Sequence, residues 1–227
     1  MIVGVGMRRS SIYNAQARCT VVCSRHDRNS SLLSRSARET SGVEDIAPPD
    51  PPLANSRIAL RQFRLSDASA ISVACQDPDI PRFTMMPDDM TEAQARAWVE
   101  NGLEWWPRGV ARFAITILPS DECVGQVGIQ FDHASHRAEA FYWLDPTARG
   151  QGYAAEALNL VTVWAFKAFD VVRVQLVTHL DNDASQRVAA SCGFVREGVL
   201  RAWEPVKDDQ PDLVMWSRLA SDPPTRR

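Results

Sequence analysis

The chain has 227 residues, of which 45% are hydrophobic and 23% charged, and its formal net charge is −3. This length fits one domain with a tail or two small domains, and the composition is typical of a globular protein that buries a core. No run of about 18 apolar residues occurs, so we expect no membrane span. Five cysteines at irregular spacing argue against a disulfide framework and favour a reducing compartment, so we expect a cytoplasmic protein.

The charge is unevenly distributed along the chain. Residues 1–38 carry seven arginines and one aspartate, whereas residues 39–227 carry 18 basic and 27 acidic residues. An acidic body disfavours binding to a phosphate backbone, so we expect no nucleic-acid partner; binding through the basic leader remains a hypothesis that truncation would test. The same acidic surface would concentrate cationic substrates such as amines, unless it is simply a solvated face.

Residues 1–54 are predicted to form a disordered extension and a proline-rich linker. They contain "DRNSSLLSRSARETS" followed by "APPDPPLA", which is polar and then rich in proline. The extension is rich in arginine and poor in acids, as a transit peptide is, but it lacks an evident amphipathic helix, which favours a plain tail. Cys19, Cys23 and His26 resemble part of a metal site without a fourth ligand at usable spacing, so we expect no metal.

From residue 55 the pattern becomes regular, and we predict one domain over residues 55–221 followed by a tail (222–227). Residues 57–63 alternate as a strand does. A helix follows over residues 66–76, with a serine as its cap. The next helix, "TEAQARAWVENGLEWW", begins with Thr91 and carries a glutamine at capping-box spacing.

Three strands are predicted next, at residues 111–118, 123–131 and 138–144, with the first two joined as a hairpin. A glycine turn then leads into a long helix whose apolar residues recur at i, i+3, i+4 and i+7. Residues 171–179 are rich in β-branched side chains and are predicted to form a strand.

A short helix capped by Asn182 and ended by Gly193 comes next, and two strands at about 194–203 and 211–219 complete the chain. The predicted order is β, α, α, β, β, β, α, β, α, β, β. This order indicates an α/β (α+β) fold with a mixed sheet and helices on its faces.

The stretch "LDPTARGQGYAAEAL" (144–158) fits two phosphate-binding patterns. Residues 150–155 fit G-x-G-x-x-A, which binds dinucleotides, and residues 149–154 fit R-x-x-G-x-A, which binds the pyrophosphate of coenzyme A. A dinucleotide turn needs its first glycine directly after the strand and an acid at the end of the next strand. Here residues 145–149 separate the strand from the glycine, and Asp170 precedes the next strand. The spacing therefore favours coenzyme A, held by backbone N–H groups at the helix start.

Four segments now point to one family: "IALRQFRLSDASAI", "FAITILPSDECVGQVGI", "AEAFYWLDPTARGQGYAAEAL" and "NDASQRVAASCGFVREGVLR". On these segments, residues 57–220 resemble the GCN5-related N-acetyltransferase (GNAT) superfamily, and within it the ribosomal-protein-alanine acetyltransferase branch. The resemblance implies a single GNAT-like domain with a mostly antiparallel sheet splayed at an acetyl-CoA site and helices on both faces.

The resemblance also implies an acetyl-CoA-dependent N-acetyltransferase that transfers an acetyl group directly to a primary amine in a ternary complex. The acceptor would be a protein N-terminus, or a small amine such as a polyamine or an aminoglycoside-like molecule, because fold analogy does not choose between them. A homodimer is compatible with the resemblance. The alternative is a non-catalytic acyl-CoA-binding or sensor domain that keeps the fold.

The catalytic residues are assigned by the same resemblance. An alkyl amine is mostly protonated at neutral pH, so a base is needed, and Glu139 is expected to supply it through water, with Asp132 as a substitute. Ala189 stands where many members of the superfamily have a tyrosine acid. In the ribosomal-protein branch a serine three residues after an asparagine fills this role, which here is Ser185 after Asn182.

The remaining site residues are expected around the strand end and the glycine turn. Backbone N–H groups near the end of "FYWL" would stabilise the oxyanion. The expected cofactor-binding set is Trp143, Leu144, Arg149, Gly150, Gln151, Gly152, Tyr153, Ala154, Asn182 and Ser185. The acceptor groove, if these side chains are not simply core, would be lined by Phe83, Met86, Trp105 and Trp106.

Overall fold

A single sheet organises the protein, which is described here by a computed structural model covering residues 2–3 and 46–223. The strands are β1 (Ile2–Val3), β2 (Leu53–Ala54), β3 (Ile58–Arg61), β4 (Val110–Ile117), β5 (Glu122–Asp132), β6 (Arg137–Leu144), β7 (Arg173–His179), β8 (Val195–Leu200) and β9 (Leu213–Leu219). Eight of them follow the order β2-β3-β4-β5-β6-β7-β9-β8, and β1 pairs with β6 off this path. The predicted cysteine–histidine cluster and most of the predicted extension lie outside the described residues.

The pairing between neighbouring strands is antiparallel throughout the described sheet except for β6 and β7, which are parallel. The parallel pair arises because a long helix crosses over between these two strands, whereas the antiparallel pairs β4–β5, β5–β6 and β8–β9 need only loops. This arrangement confirms the predicted mixed, mostly antiparallel sheet.

The helices are α1 (Ala68–Ala74), α2 (Asp79–Phe83), α3 (Glu92–Gly102), α4 (Tyr153–Ala168) and α5 (Asp183–Ser191). Hydrophobic periodicity does not predict α2, because Pro78 and Pro81 indicate a turn there. The helix tolerates Pro81 because it lies in the first turn, where a backbone N–H would have no helical partner. No helix in residues 46–223 is both long enough and apolar enough to cross a membrane.

The predicted caps are present. The backbone N–H of Thr91 donates to the side chain of Gln94 at 2.8 Å, and the N–H of Gln94 donates to the Thr91 hydroxyl at 3.3 Å, which forms a capping box. At α5, the Asn182 side chain accepts from the Ser185 N–H at 3.1 Å. Gly193 follows α5 with φ of 77°, a left-handed conformation that favours glycine.

Helices cover both faces of the sheet. The main core lies on the face covered by α4 and α5, and it includes Phe113, Tyr142 and Leu158, each no more than 1% exposed. Ile46 belongs to this core at 3% exposure, so ordered packing begins before the predicted boundary at residue 55. A second core lies between α1, α2 and α3 and includes Trp143 of β6.

A buried ion pair ties α1 to the sheet. Arg61, at the end of β3, contacts Asp67 at 2.8 Å and Asp121 at 2.9 Å, and only 9% of Arg61 and 5% of Asp67 are exposed. The hydrogen bonds and charges of the two aspartates outweigh the opposing effect of burial and raise the pKa of Arg61. Asp67 also accepts the backbone N–H of Arg64 at 2.7 Å, so one carboxylate fixes the turn that leads into α1.

Candidate active site

A wedge opens within the sheet between β6 and β7. The two strands pair only where residues 137–139 meet residues 173–175, and they diverge beyond Glu139. This divergence is the predicted splay of the sheet. The short strand β1 pairs with β6 inside the wedge, opposite Tyr142 and Trp143, so this edge of β6 accepts an extended backbone.

The glycine turn lies at the open end of the wedge. Gly150 has φ of 79° and Gly152 has φ of 86°, left-handed conformations that are costly for residues with a Cβ. Gly152 is the N-cap of α4, and no side chain caps this end of the helix. The first backbone N–H groups of α4 are therefore available to an anion. This end of α4 fits the pyrophosphate of acetyl-CoA.

The side chain of Arg149 points away from this helix end. Its guanidinium contacts Asp77 at 2.8 Å and Asp79 at 3.6 Å, and its Nε donates to the carbonyl of Leu144 at 3.2 Å. Arg149 therefore joins the end of β6 to the turn between α1 and α2. Any contact of Arg149 with a phosphate would therefore come from its backbone N–H group.

Glu139 lies at the apex of the wedge, where the parallel pairing ends. It is half-buried, and its Oε2 accepts a hydrogen bond from Nε2 of Gln175 at 2.9 Å. Oε1 of Gln175 accepts from Nε of Arg173 at 3.2 Å, and Arg173 donates twice to Glu197, at 2.7 and 2.6 Å. A chain of hydrogen bonds thus holds the Glu139 carboxylate in place from the neighbouring strand.

Two other carboxylates, Glu197 and Asp132, form hydrogen bonds with arginines. Hydrogen bonds from Arg173 and Ser217 lower the pKa of Glu197 to about 2, which makes it a weak base at neutral pH. Asp132 accepts two hydrogen bonds from Arg137, at 3.1 and 2.9 Å. Although partial burial opposes the change, these bonds lower the pKa of Asp132.

Ser185 lies on the opposite face of β6 from Glu139. Its hydroxyl is buried, 2.9 Å from the hydroxyl of Tyr142, and α5 carries it on the face that α4 covers. Alternation along β6 puts Tyr142 on this face and Glu139 on the other. Burial raises the pKa of Tyr142, although the bond to Ser185 opposes this. The wedge therefore has a carboxylate on one side and a tyrosine–serine pair on the other.

The four residues predicted to line an acceptor groove lie in different environments and do not form one groove. Trp106 is 4% exposed and packs edge-to-face against Phe113 in the main core. Trp105 lies over the guanidinium of Arg112, 5.0 Å from its central carbon. Met86 is buried in the second core.

Phe83, the fourth of these residues, is buried in the second core and also borders a cavity. This cavity has a volume of about 330 Å³ and lies between α2 and the start of α5; it is lined by Asp79, Arg82, Phe83, Asp181, Asn182, Asp183, Ala184 and Arg187. Phe83 also packs edge-to-face against His179 at 5.2 Å. Burial lowers the pKa of His179.

Sequence reasoning did not single out Tyr142, Gln175, His179 or Glu204 as site residues. Gln175 and His179 lie on β7, where a β-branched strand indicates core and gives no sign of a site. Glu204 lies in the β8–β9 loop with one carboxylate oxygen buried, and after Glu139 and Asp132 it is a third carboxylate whose role as a base can be tested. The spacing of Ser185 after Asn182 predicts a role for Ser185, but it does not predict the contact of Ser185 with Tyr142.

Comparison with known proteins agrees with this geometry. A family model described as "Acetyltransferase (GNAT) domain" matches residues 57–195. The chain is 30% identical to N-acetyltransferase YoaA of Bacillus subtilis (strain 168), itself uncharacterized, over 67% of this chain and 88% of that protein. It is 28% identical to the ribosomal-protein-serine acetyltransferase of Escherichia coli (strain K12), over 57% of this chain and 72% of that protein.

A solved structure is similar in fold. RimL, a ribosomal L7/L12 α-N-protein acetyltransferase in complex with coenzyme A, superposes with a TM-score of 0.61 at 22% identity. The superposition covers 74% of this chain and 96% of that one. At this identity the likeness shows the shared fold.

Proposed function

Because the chain belongs to the GNAT acetyltransferase family, it is an N-acetyltransferase that uses acetyl-CoA, and we propose that it transfers the acetyl group directly to a primary amine in a ternary complex. The observation that carries the proposal is the position of Glu139. A half-buried carboxylate, held by Gln175 at 2.9 Å, stands where the wedge closes. This is where a base is needed if the acetyl group enters the wedge.

In this proposal Glu139 removes a proton from the incoming amine, through a water molecule. An ammonium group has no lone pair, so this step must precede attack on the thioester. Backbone N–H groups around Trp143 and Leu144 would stabilise the negative charge that develops on the acetyl oxygen. The amine nitrogen forms the new bond to the acetyl carbon, and the sulfur of coenzyme A leaves as the bond to that carbon breaks. The nitrogen loses its second proton and the sulfur gains one, so the products are the amide and the free thiol of coenzyme A.

The cysteines within residues 46–223 favour direct transfer over an acetyl-cysteine intermediate. Cys75, Cys123 and Cys192 are buried, and burial raises the pKa of Cys75 to about 11 and that of Cys123 to about 12. The thiolate is the nucleophilic form of cysteine, so neither of these two thiols is activated at neutral pH.

Ser185 is proposed as the acid that protonates the leaving sulfur. Replacing Ser185 by alanine is expected to lower kcat less than about tenfold, because a thiol with a pKa of about 8.5 leaves readily. The change also removes the closer of two partners of the buried Tyr142 hydroxyl, which keeps the backbone carbonyl of residue 185 at 3.4 Å, and should cost about 1 kcal/mol of unfolding free energy. Steady-state kinetics and urea denaturation measure the two effects.

A double variant separates the catalytic effect from the structural one. Ser185→Ala combined with Tyr142→Phe leaves no buried hydroxyl without a partner, so stability should recover while the deficit in kcat remains. Tyr142→Phe alone is the matched control. If turnover recovered together with stability, the acid role of Ser185 would be wrong.

The acceptor is proposed to be a protein N-terminus. Support comes from the ribosomal-protein-serine acetyltransferase among the relatives, with polyamines and aminoglycoside-like amines as the alternative acceptors. A homodimer stays a prediction that light scattering of the purified protein checks. A non-catalytic acyl-CoA-binding domain is the competing function for this fold.

A thiol-release assay tests the function. Acetyl-CoA should raise the melting temperature of the protein, and one class of amine in a panel of N-terminal peptides, polyamines and aminoglycosides should release free thiol. Mass spectrometry should show that amine to be heavier by one acetyl group. If acetyl-CoA raised the melting temperature but no class of amine released free thiol, the result would favour a non-catalytic acyl-CoA-binding domain.

A further inference from the structure

The turn between β2 and β3 contacts the start of α4. Nη2 of Arg57 donates to the backbone carbonyl of Gln151 at 3.0 Å, and Nη1 donates to Oε1 of Glu156 at 2.5 Å. Asn55 donates to Oε2 of Glu156 at 2.8 Å. The guanidinium also lies over the ring of Tyr153, 4.8 Å from its centre. Residues about 95 positions apart in the chain thus meet at the glycine turn.

The carbonyl of Gln151 belongs to the same peptide unit as the N–H of Gly152. In a planar trans peptide these two groups point in opposite directions. Arg57 therefore fixes the direction of the Gly152 N–H by holding the Gln151 oxygen. The N–H faces away from Arg57, to the other side of the turn.

The orientation of the Gln151–Gly152 peptide is weakly restrained by its neighbours in the chain. This peptide joins Gln151 to Gly152 in a turn where Gly150 and Gly152 both have positive φ, and glycine has the widest backbone freedom of any residue. With no side chain capping α4, nothing local to the helix fixes the orientation of this peptide. The contact from Arg57 supplies that restraint from another strand.

Arg57 also compensates a charge at this helix end. Glu156 lies in the first turn of α4, where a carboxylate favours the helix but repels a phosphate at the same end. Arg57 and Asn55 bind its two oxygens, and the Glu156 side chain is 14% exposed against 46% for Arg57. The helix end can then present N–H groups to an anion without an uncompensated carboxylate beside it.

We propose that Arg57 is a positioning residue for acetyl-CoA: by holding the Gln151–Gly152 peptide and neutralising Glu156, it prepares the start of α4 for the pyrophosphate. Arg57 itself need not touch the cosubstrate. The proposal depends on acetyl-CoA being the cosubstrate and on neither the base nor the acceptor.

The test compares a ligand that has the pyrophosphate with one that lacks it. Calorimetry measures the Kd of coenzyme A, and competition against it measures the Kd of pantetheine, for the wild-type chain and for Arg57→Ala. We expect the Kd of coenzyme A to rise about tenfold, as when a charged hydrogen bond is lost, while that of pantetheine stays unchanged. A residue that only supported the fold would weaken both ligands equally.

Two further variants keep the test decisive. Arg57→Lys keeps the charge beside Glu156 but loses the planar fork of donors, so we expect a rise of about threefold in the Kd of coenzyme A. This variant carries the test if Arg57→Ala does not fold. Arg64→Ala is the matched control, because Arg64 is also exposed and paired with an aspartate, Asp121, at 2.5 Å, away from α4; it should bind both ligands as the wild type does.

Two outcomes would overturn the proposal. One is an unchanged Kd of coenzyme A in Arg57→Ala, and the other is an equal rise in the Kd of pantetheine in the same variant. Since binding is measured without an acceptor, a failure of the proposed turnover would leave this result intact. Equally, a negative result for Arg57 would not change the interpretation of the thiol-release assay.

Discussion

Replacing Glu139 by glutamine is expected to lower kcat by about 100- to 1,000-fold at neutral pH, the usual cost of losing a general base. Glutamine keeps the size of the side chain and an oxygen that can accept from Gln175, so the melting temperature and the Kd of acetyl-CoA should not change. The variant loses only the ability to take a proton from the amine.

The pH dependence separates a missing base from a damaged site. The α-amino group of a protein N-terminus, the proposed acceptor, has a pKa of about 8, so it deprotonates without help as the pH rises. The deficit of Glu139→Gln should therefore shrink between about pH 7 and pH 9. A deficit that is constant over this range would contradict the role of Glu139 in proton removal.

Two variants test the competing bases. Asp132→Asn removes the alternative carboxylate of β5, and Glu204→Gln removes the carboxylate with a buried oxygen in the β8–β9 loop. With Glu139 as the base, both should keep more turnover than Glu139→Gln. If Glu139→Gln were active and one of these two were not, the base would be reassigned to that residue.

Replacing Asp67 by alanine is expected to cost about 3–5 kcal/mol of unfolding free energy, because removal of one partner leaves a buried charge poorly compensated. Arg61 is 9% exposed and would keep only Asp121 as a charged partner. The loop into α1 would also lose the hydrogen bond from the Arg64 N–H. Urea denaturation at neutral pH measures the loss.

Glu104→Ala is the control for Asp67→Ala. Glu104 pairs with Arg108 at 3.5 Å, and their side chains are 70% and 52% exposed. An exposed pair of this kind contributes about 0–1 kcal/mol, so this variant should unfold close to the wild type. An Asp67→Ala variant that was as stable as the control would mean that Asp121 alone compensates Arg61.

The local features of the fold were accessible from the sequence. The capping box of Thr91 and Gln94, the Asn182 cap and the left-handed Gly193 each depend on residues close together in the chain, and all are present. The five-residue offset before the glycine turn separated coenzyme A from a dinucleotide for the same reason. Short-range spacing is fixed by backbone geometry and needs no knowledge of the tertiary contacts.

Long-range contacts were not accessible in this way. The hydroxyls of Tyr142 and Ser185 meet across 43 residues, and the carboxylate of Glu139 meets Gln175 across 36. From Ala140 to Leu144, β6 is buried on both faces, so this part of its sequence has no alternation of polar and apolar residues that would mark Tyr142 as a site residue. Residues 137–140 do alternate, but alternation gives the face on which Glu139 lies and not its partner on β7. Similarly, nothing in "LEWWPR" distinguishes Trp106, which packs into the main core, from Trp105, which lies over Arg112.

Only three residue pairs join β6 to β7, so this junction is the weakest connection between two parts of the sheet. On one side lie β2 to β6 and on the other β7, β9 and β8. The described backbone hydrogen bonds that connect the two halves directly lie at one end, where residues 137–139 pair with residues 173–175 and the N–H of Val172 donates to the carbonyl of His136 at 2.8 Å. Strand β1 already pairs with Tyr142 and Trp143 in the wedge, so a ligand with an extended polar backbone would enter by taking the place of β1. Amide hydrogen exchange at residues 2–3 would then become faster on ligand binding, whereas the long antiparallel pairing of β4 with β5 would be protected in either state. The stiffness of the sheet would thus depend on what occupies the wedge.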